Sequence, residues 1–315
     1  MIFSYLVHLG VNYWKKPNSD YFPIDSYFTE LPTEDKAWRE TTDFIAQNGF
    51  NMLLIDLGEG VQYESHPEIA VKGAWSKEKL KKELDRLRSI GLTPIPKLNF
   101  ASIHNCWMGE YSNMVSTPIY YKVVEDLIAE AIELFDNPEY LHLGMDEEAY
   151  SPYTSFNCLQ MQEKYGVTIA RTNKLYWEDL DFMAKCCLKR GVRPWIWGDA
   201  GWFIADDMIK NLSRDVLVSN WYYQRWLNPQ LLADYHRTAM DTFYMLAKNG
   251  FDQVPTGATY STPSNIDDMM LCLKDKPNIL GYMSAPWFRC REIDTLKHKS
   301  EAKIFNIAKT KYYGE

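Results

Sequence analysis

No stretch of 18 consecutive apolar residues occurs in the chain, so no segment reads as a membrane-spanning helix. Lys and Arg never run longer than a pair, and 34 basic residues against 42 acidic ones leave a formal net charge of -8. A phosphate-backbone footprint needs the opposite balance, so nucleic acid is not an expected partner. The six cysteines (Cys106, Cys158, Cys186, Cys187, Cys272 and Cys290) include no C-x-x-C pair, and a chain of 315 residues needs no disulfide framework. There is no H-x-H, no H-E-x-x-H and no Cys/His cluster, so no metal is expected. A G-x-S-x-G nucleophile elbow is also missing. "DLGEGVQYES" is not the G-x-G-x-x-G of a dinucleotide site, and no cofactor is implied. The opening "MIFSYLVHLGV" lacks a basic start and a small-residue cleavage site. That fits a cytoplasmic protein as well as a secreted or periplasmic one whose signal has been removed.

What is present is a repeated unit. With 46% hydrophobic and 24% charged residues, the chain can bury a large core. Short β-type runs at 5–11, 52–56, 93–98, 140–144, 193–197, 216–221, 252–257 and 279–285 predict eight strands. Between and after them lie amphipathic helical patterns. They are "PTEDKAWRETTDFIAQNG", "SKEKLKKELDRLRSIG", "TPIYYKVVEDLIAEAIELF", "NKLYWEDLDFMAKCCLKRG", "GWFIADDMIKNLS", "PQLLADYHRTAMDTFYMLAKNG", "SNIDDMMLCLKDKP" and "EIDTLKHKSEAKIFNIAKTKYY". Strict β-then-α alternation requires a parallel sheet, and eight such units close into a (β/α)8 TIM barrel; a doubly wound sheet is the second choice. No Pro/Gly/Ser-rich linker divides residues 1–315, so a single domain is expected.

In such a barrel chemistry gathers where strands end and βα loops begin. Asn12, Asp56, Glu59, Asn99, His104, Asp199, Asn220, Tyr260 and Trp287 fall there, as does "YLHLGMDEEAY", residues 140–150. Adjacent acids usually mark a solvated turn. The flanking His-x-Gly and the strand-end position favour a site instead. Continued alternation would put His142, Gly144 and Asp146 on the inner face, with Leu141, Leu143 and Met145 toward the helices. Two carboxylates so close cannot both ionise comfortably, which makes Glu147 the candidate general acid beside Asp146. Glu148 is expected in solvent or behind the site. Trp197, Trp221 and Trp287 could wall a sugar pocket, with Tyr260 or Tyr222 donating into it. His142 is expected to support the carboxylates, and His104 to serve either the loop's structure or the site.

These residues carry a resemblance. "HLGMDE", residues 142–147, resembles the H-x-G-G-D-E signature of family 20 glycoside hydrolases, the β-N-acetylhexosaminidases, whose catalytic domain is a (β/α)8 barrel. Residues 63–96 are similar to that family's segment between its second and third strands, and "RPWIWGDAGW", residues 193–202, to its fifth strand. The resemblance implies a retaining, substrate-assisted hydrolysis in which the sugar's 2-acetamido oxygen attacks the anomeric carbon. Glu147 would match the acid/base and Asp146 the aspartate orienting the acetamido group. The seventh strand agrees, since "FDQVPTGATYSTPSN" carries no acid at its C-terminal end that could serve as nucleophile.

The chain departs from the family at Met145, where glycine is usual, and at Lys97 and Asn99, where acids are. It also lacks the first-strand arginine, and Arg289 stands in place of the glutamate of a Trp-x-Glu. The expected partner is therefore a carbohydrate with a terminal amino sugar whose identity stays open. Without the family's accessory N-terminal domain, a homo-oligomer or a divergent branch is expected. Two alternatives stand beside this reading: a non-catalytic glycan-binding barrel, and a glycosidase using two protein carboxylates, Glu147 and Asp199.

Overall fold

The computed structural model describes residues 1–13, 27–148, 171, 174–226 and 234–314. Strands and helices alternate in the first half as β1 Ile2–His8, α1 Asp35–Gln47, β2 Met52–Asp56, α2 Lys77–Ser89, β3 Thr93–Lys97, α3 Pro118–Leu134, β4 Tyr140–His142 and α4 Lys174–Leu188. The second half continues with β5 Arg193–Trp197, the short pair α5 Ala200–Phe203 and α6 Ala205–Asn211, β6 Leu217–Ser219, α7 Asp234–Lys248, β7 Thr256–Gly257, α8 Asn265–Leu273, β8 Gly281–Ser284 and α9 Thr295–Tyr313. Every ladder is parallel, in the order β6-β5-β4-β3-β2-β1-β8-β7. Backbone bonds then join the two outer strands, Val254 N to Val218 O at 2.9 Å and Thr256 N to Asn220 O at 2.9 Å. The sheet thus closes into the (β/α)8 barrel that the alternation of the sequence predicts.

Period-two alternation sorts the apolar residues into two layers. Leu6, Leu54, Ile95, Trp195, Trp197, Leu217, Val254 and Met283 fill the barrel. Tyr5, Val7, Leu53, Ile55, Leu141, Leu143 and Ile196 turn outward against the helices. Above the inner apolar layer the register aligns His8 with Asp56, Asp56 with Lys97, and Lys97 with His142, a buried polar tier beneath the βα loops. Helix starts follow their sequence signals. Ser76 accepts from Lys79 N and Thr117 from Tyr120 N, and Pro118 opens α3 where its missing N–H costs nothing. No helix among the described residues is long and apolar enough to cross a membrane.

Several strand ends differ from expectation for local reasons. β1 begins at Ile2 and ends at His8, because Leu9 N and Gly10 N both turn back onto Asp56 O at 2.9 and 3.1 Å. β7 keeps only two residues of 252–257, interrupted by Pro255, which has no N–H for a ladder. β4 stops at His142, two residues early, where the chain leaves the strand into the site.

Candidate active site

The turn after β4 decides the geometry. Gly144, Met145 and Glu147 all adopt positive φ, at 73°, 70° and 52°. Such a backbone is costly for residues with a Cβ and persists only where the surroundings fix it. Three contacts do so: Gly144 N donates to His142 Nδ1 (3.0 Å), Tyr176 Oη on α4 donates to Met145 O (3.2 Å), and Glu147 N donates to Asp199 Oδ2 (2.8 Å). Simple alternation therefore does not run through the motif. Met145 still lies in the outer apolar layer, as expected, but it arrives there by a turn.

As a result the three neighbouring acids meet three residues of the loop after β3. Asp146 Oδ1 accepts from Asn99 Nδ2 at 3.0 Å, Glu147 Oε2 lies 2.9 Å from His104 Nε2, and Glu148 accepts from Ser102 N and Ser102 Oγ, both at 2.6 Å. Their exposures diverge. Asp146 is 4% exposed and Glu148 0%, whereas the Glu147 side chain is 46% exposed and opens to solvent. Glu148 is thus inside the protein, ion-paired to Arg171, and does not face solvent.

Burial raises the Asp146 carboxyl above its ordinary value, and nearby Glu147 adds to this while His104 opposes it. Burial also pushes Asp199 up to about 8, with Asp146 the next cause. For His104 burial works against the charge, yet Asp146 and Glu147 outweigh it and raise its affinity for a proton. His104 Nε2 lies 3.6 Å from Asp146 Oδ2 and closer to Glu147, so it can share a proton with the exposed acid. His104, Asp146 and Glu147 set three ligand-type atoms within 4.8 Å of one another. His104 Nε2 bonded to Glu147, with the Asp146 carboxyl 3.6 Å away, gives the same spacing without an ion.

Aromatic side chains surround these groups. Trp287 stacks on His8 at 5.1 Å and donates to Tyr223 Oη at 3.1 Å. Trp221 stacks on Tyr223 at 5.4 Å and points Nε1 at Asp199 Oδ1, 3.4 Å away. The exposed Tyr260 ring lies 5.2 Å from Tyr223. Trp197 and His142 sit deeper, ring to ring at 4.5 Å and fully inside the barrel, where burial holds His142 well below its ordinary value and so neutral.

Two expected residues lie elsewhere. Tyr222 points its hydroxyl at His236 on α7 (3.3 Å) and packs in the outer layer, while Asn12 closes its amide on Phe28 in both directions, at 2.7 and 2.8 Å. Sequence reasoning missed Tyr223 and Tyr13. Alternation carried on from Ser219 through Trp221 selects Tyr223 over Tyr222, so that signal was present. Tyr13, whose hydroxyl donates to Asp56 Oδ2 at 2.8 Å and meets His8 Nδ1 at 2.5 Å, had no such marker.

No protein-family model and no curated protein matches this chain. Solved structures do. One is the β-N-acetylhexosaminidase of Bacteroides fragilis, with a TM-score of 0.63 and 15% identity over 98% of this chain and 64% of that one. Another is a chitobiase of Flavobacterium johnsoniae, with 0.64 and 17% over 87% and 46%. A third is the N-acetyl-β-hexosaminidase of Streptomyces plicatus, with 0.64 and 13% over 98% and 63%. The chain spans less than two thirds of the length of each. At these identities the likeness is one of fold, and the barrel resembles those of family 20 β-N-acetylhexosaminidases.

Proposed function

We propose that the protein is a retaining glycoside hydrolase that removes a terminal 2-acetamido sugar by substrate-assisted catalysis. The observation that carries this reading is the pairing of an exposed Glu147, 2.9 Å from His104, with a buried Asp146 of raised proton affinity. Glu147 would protonate the leaving oxygen and then deprotonate water, with His104 exchanging its proton across the short contact. Asp146 would accept the acetamido N–H. Its raised proton affinity makes it a strong acceptor for the positive charge that develops on that nitrogen as the acetamido oxygen closes onto the anomeric carbon. Trp221, Tyr223 and Trp287 would stack on the apolar sugar face and keep water from the ring intermediate. The chain as a single catalytic domain belongs to the same proposal.

The two-carboxylate alternative needs Asp199 as an ionised nucleophile. Asp199 is instead held up to about 8, with one oxygen accepting from Glu147 N and the other facing Trp221 Nε1. Near neutrality such a group is a poor nucleophile.

A panel of aryl and alkyl glycosides, with and without the 2-acetamido group, tests the proposal. Cleavage should be confined to acetamido sugars and inhibited by a thiazoline mimic of the cyclised intermediate. Glu147→Gln should lower kcat by roughly 10²–10⁴-fold on alkyl glycosides, and by less on nitrophenyl glycosides, whose leaving group needs little protonation. Asp146→Asn should lower kcat on both. Equal cleavage of plain glucosides would end the neighbouring-group mechanism, and binding of amino sugars without turnover would favour the glycan-binding alternative.

A further inference from the structure

The third acid has no part in the chemistry proposed above. We infer that Glu148 is a positioning residue, which sets His104 against Glu147 by clamping the loop after β3 to rigid helices. The inference rests on the reading of Glu147 as acid/base. Glu148 is wholly buried and holds the loop at two points, Ser102 N and Ser102 Oγ, two residues before His104. Its Oε1 also accepts from Arg171 Nη1 at 2.5 Å, and the same Nη1 donates to Phe100 O at 2.9 Å in that loop. One guanidinium therefore ties the two segments that carry the proposed proton relay.

The clamp is anchored outside the site. Arg171 Nε donates to Asp179 on α4 at 2.5 Å, and Nη2 donates to Tyr120 Oη on α3 at 2.8 Å. Asp179 in turn accepts from Ser116 Oγ at 2.6 Å and from Tyr121 Oη. All of Arg171, Glu148 and Asp179 are fully buried, so each charge relies on the others and on these hydroxyls for its solvation. Such a network has little freedom to relax. The Ser102–Glu148 contact lies one residue along the acid run from the His104–Glu147 contact. A shift of the loop therefore passes directly into the 2.9 Å distance on which proton sharing depends.

Ser102→Ala removes one bond of the clamp and keeps the backbone one, and Glu148→Gln removes the charge. Both are read by thermal melting, by the ring nitrogen resonances of His104, and by kcat and KM on an alkyl acetamido glycoside. His104 is one of six histidines and is assigned by the signal lost in His104→Gln. Ser102→Ala should melt close to the native protein, move the His104 Nε2 resonance, and lower kcat about tenfold with KM nearly unchanged. Glu148→Gln should do the same more strongly. If it does not fold, Ser102→Ala alone decides. Native His104 resonances together with native kcat in a folded variant would overturn the inference. A native protein that cleaves no acetamido glycoside would sink the proposed function instead, while the His104 resonances would still decide whether Glu148 positions that ring.

Discussion

Gly144 shows how far the site depends on single atoms. A Cβ built there would lie 2.0 Å from Asn99 Oδ1 and 2.8 Å from Asn99 Cα, and the residue has φ of 73°. Only glycine lets the turn approach this closely while Asn99 Nδ2 keeps its bond to Asp146. Gly144→Ala is expected to lose about 2 kcal/mol or more of stability, the left-handed backbone accounting for ~1–2 kcal/mol and the clash adding to it. It should also turn the Asn99 amide away from Asp146. Urea denaturation checks the first outcome, and unchanged midpoints would contradict it. Met145 follows the same logic with a different result: it tolerates a φ of 70° because its side chain is fully buried in the outer apolar layer, which offsets a strain of similar size.

Among elements, α9 does more than cover the barrel. Its Glu301, almost fully buried, accepts from Thr259 N at 3.0 and 3.1 Å, from Thr259 Oγ1, and from Ser284 Oγ at 2.5 Å, binding the β7 loop to β8 next to Tyr260. Because β7 has only two ladder residues, this carboxyl stands in for missing sheet. Glu301→Ala leaves these donors without an acceptor and should destabilise the fold by about 3 kcal/mol, whereas Glu301→Gln, which keeps one oxygen, should lose about 1 kcal/mol. Equal denaturation midpoints for the two variants would refute the role. The sequence revealed elements better than their ends. All eight strands and their order were legible because parallel strands buried on both faces and amphipathic helices leave different periods. The convergence of Asp146, Glu147, His104 and Asp199 could be read from their places at strand ends. What alternation could not show was the left-handed turn at 144–147, which sends consecutive acids to separate partners and draws Glu148 inside. Nor could it show Asn12 closing on Phe28, because side-chain hydrogen bonds between loops leave no period.

At the scale of the whole molecule, a chain of net charge -8 encloses acids that keep their protons. Burial lifts Asp199 to about 8 and Glu59 to about 7, the latter even though Val11 N and Asn12 N donate to it. His104 is raised as well, by Asp146 and Glu147 against the effect of burial. In the unfolded chain these carboxyls release their protons near 3.8 and 4.5, and the histidine near 6.5. Groups raised on folding contribute stability that is full below the unfolded value and is lost as pH rises through the folded one. Histidines that burial lowers behave in the opposite sense. His298, held near 4 by burial, contributes stability above 6.5 that is lost as pH falls toward 4, and His8 and His142, also lowered, act in the same direction. Asp56 is a separate case: burial would raise it, but Lys97 and His8 together hold it at about 2, so its contribution fails only in strong acid. From about a pH unit above 6.5 the lowered histidines are neutral in both states and drop out, leaving the raised groups to set the slope. Stability should therefore fall between pH 7.5 and 8.5, by about 1.4 kcal/mol per pH unit for each proton the folded state retains beyond the unfolded one. Asp199→Asn should remove the part of the decline nearest pH 8. Urea denaturation at pH 7.5, 8.0 and 8.5 measures this, and a flat or rising profile over that interval would show that the acids at the barrel mouth are already ionised at neutrality.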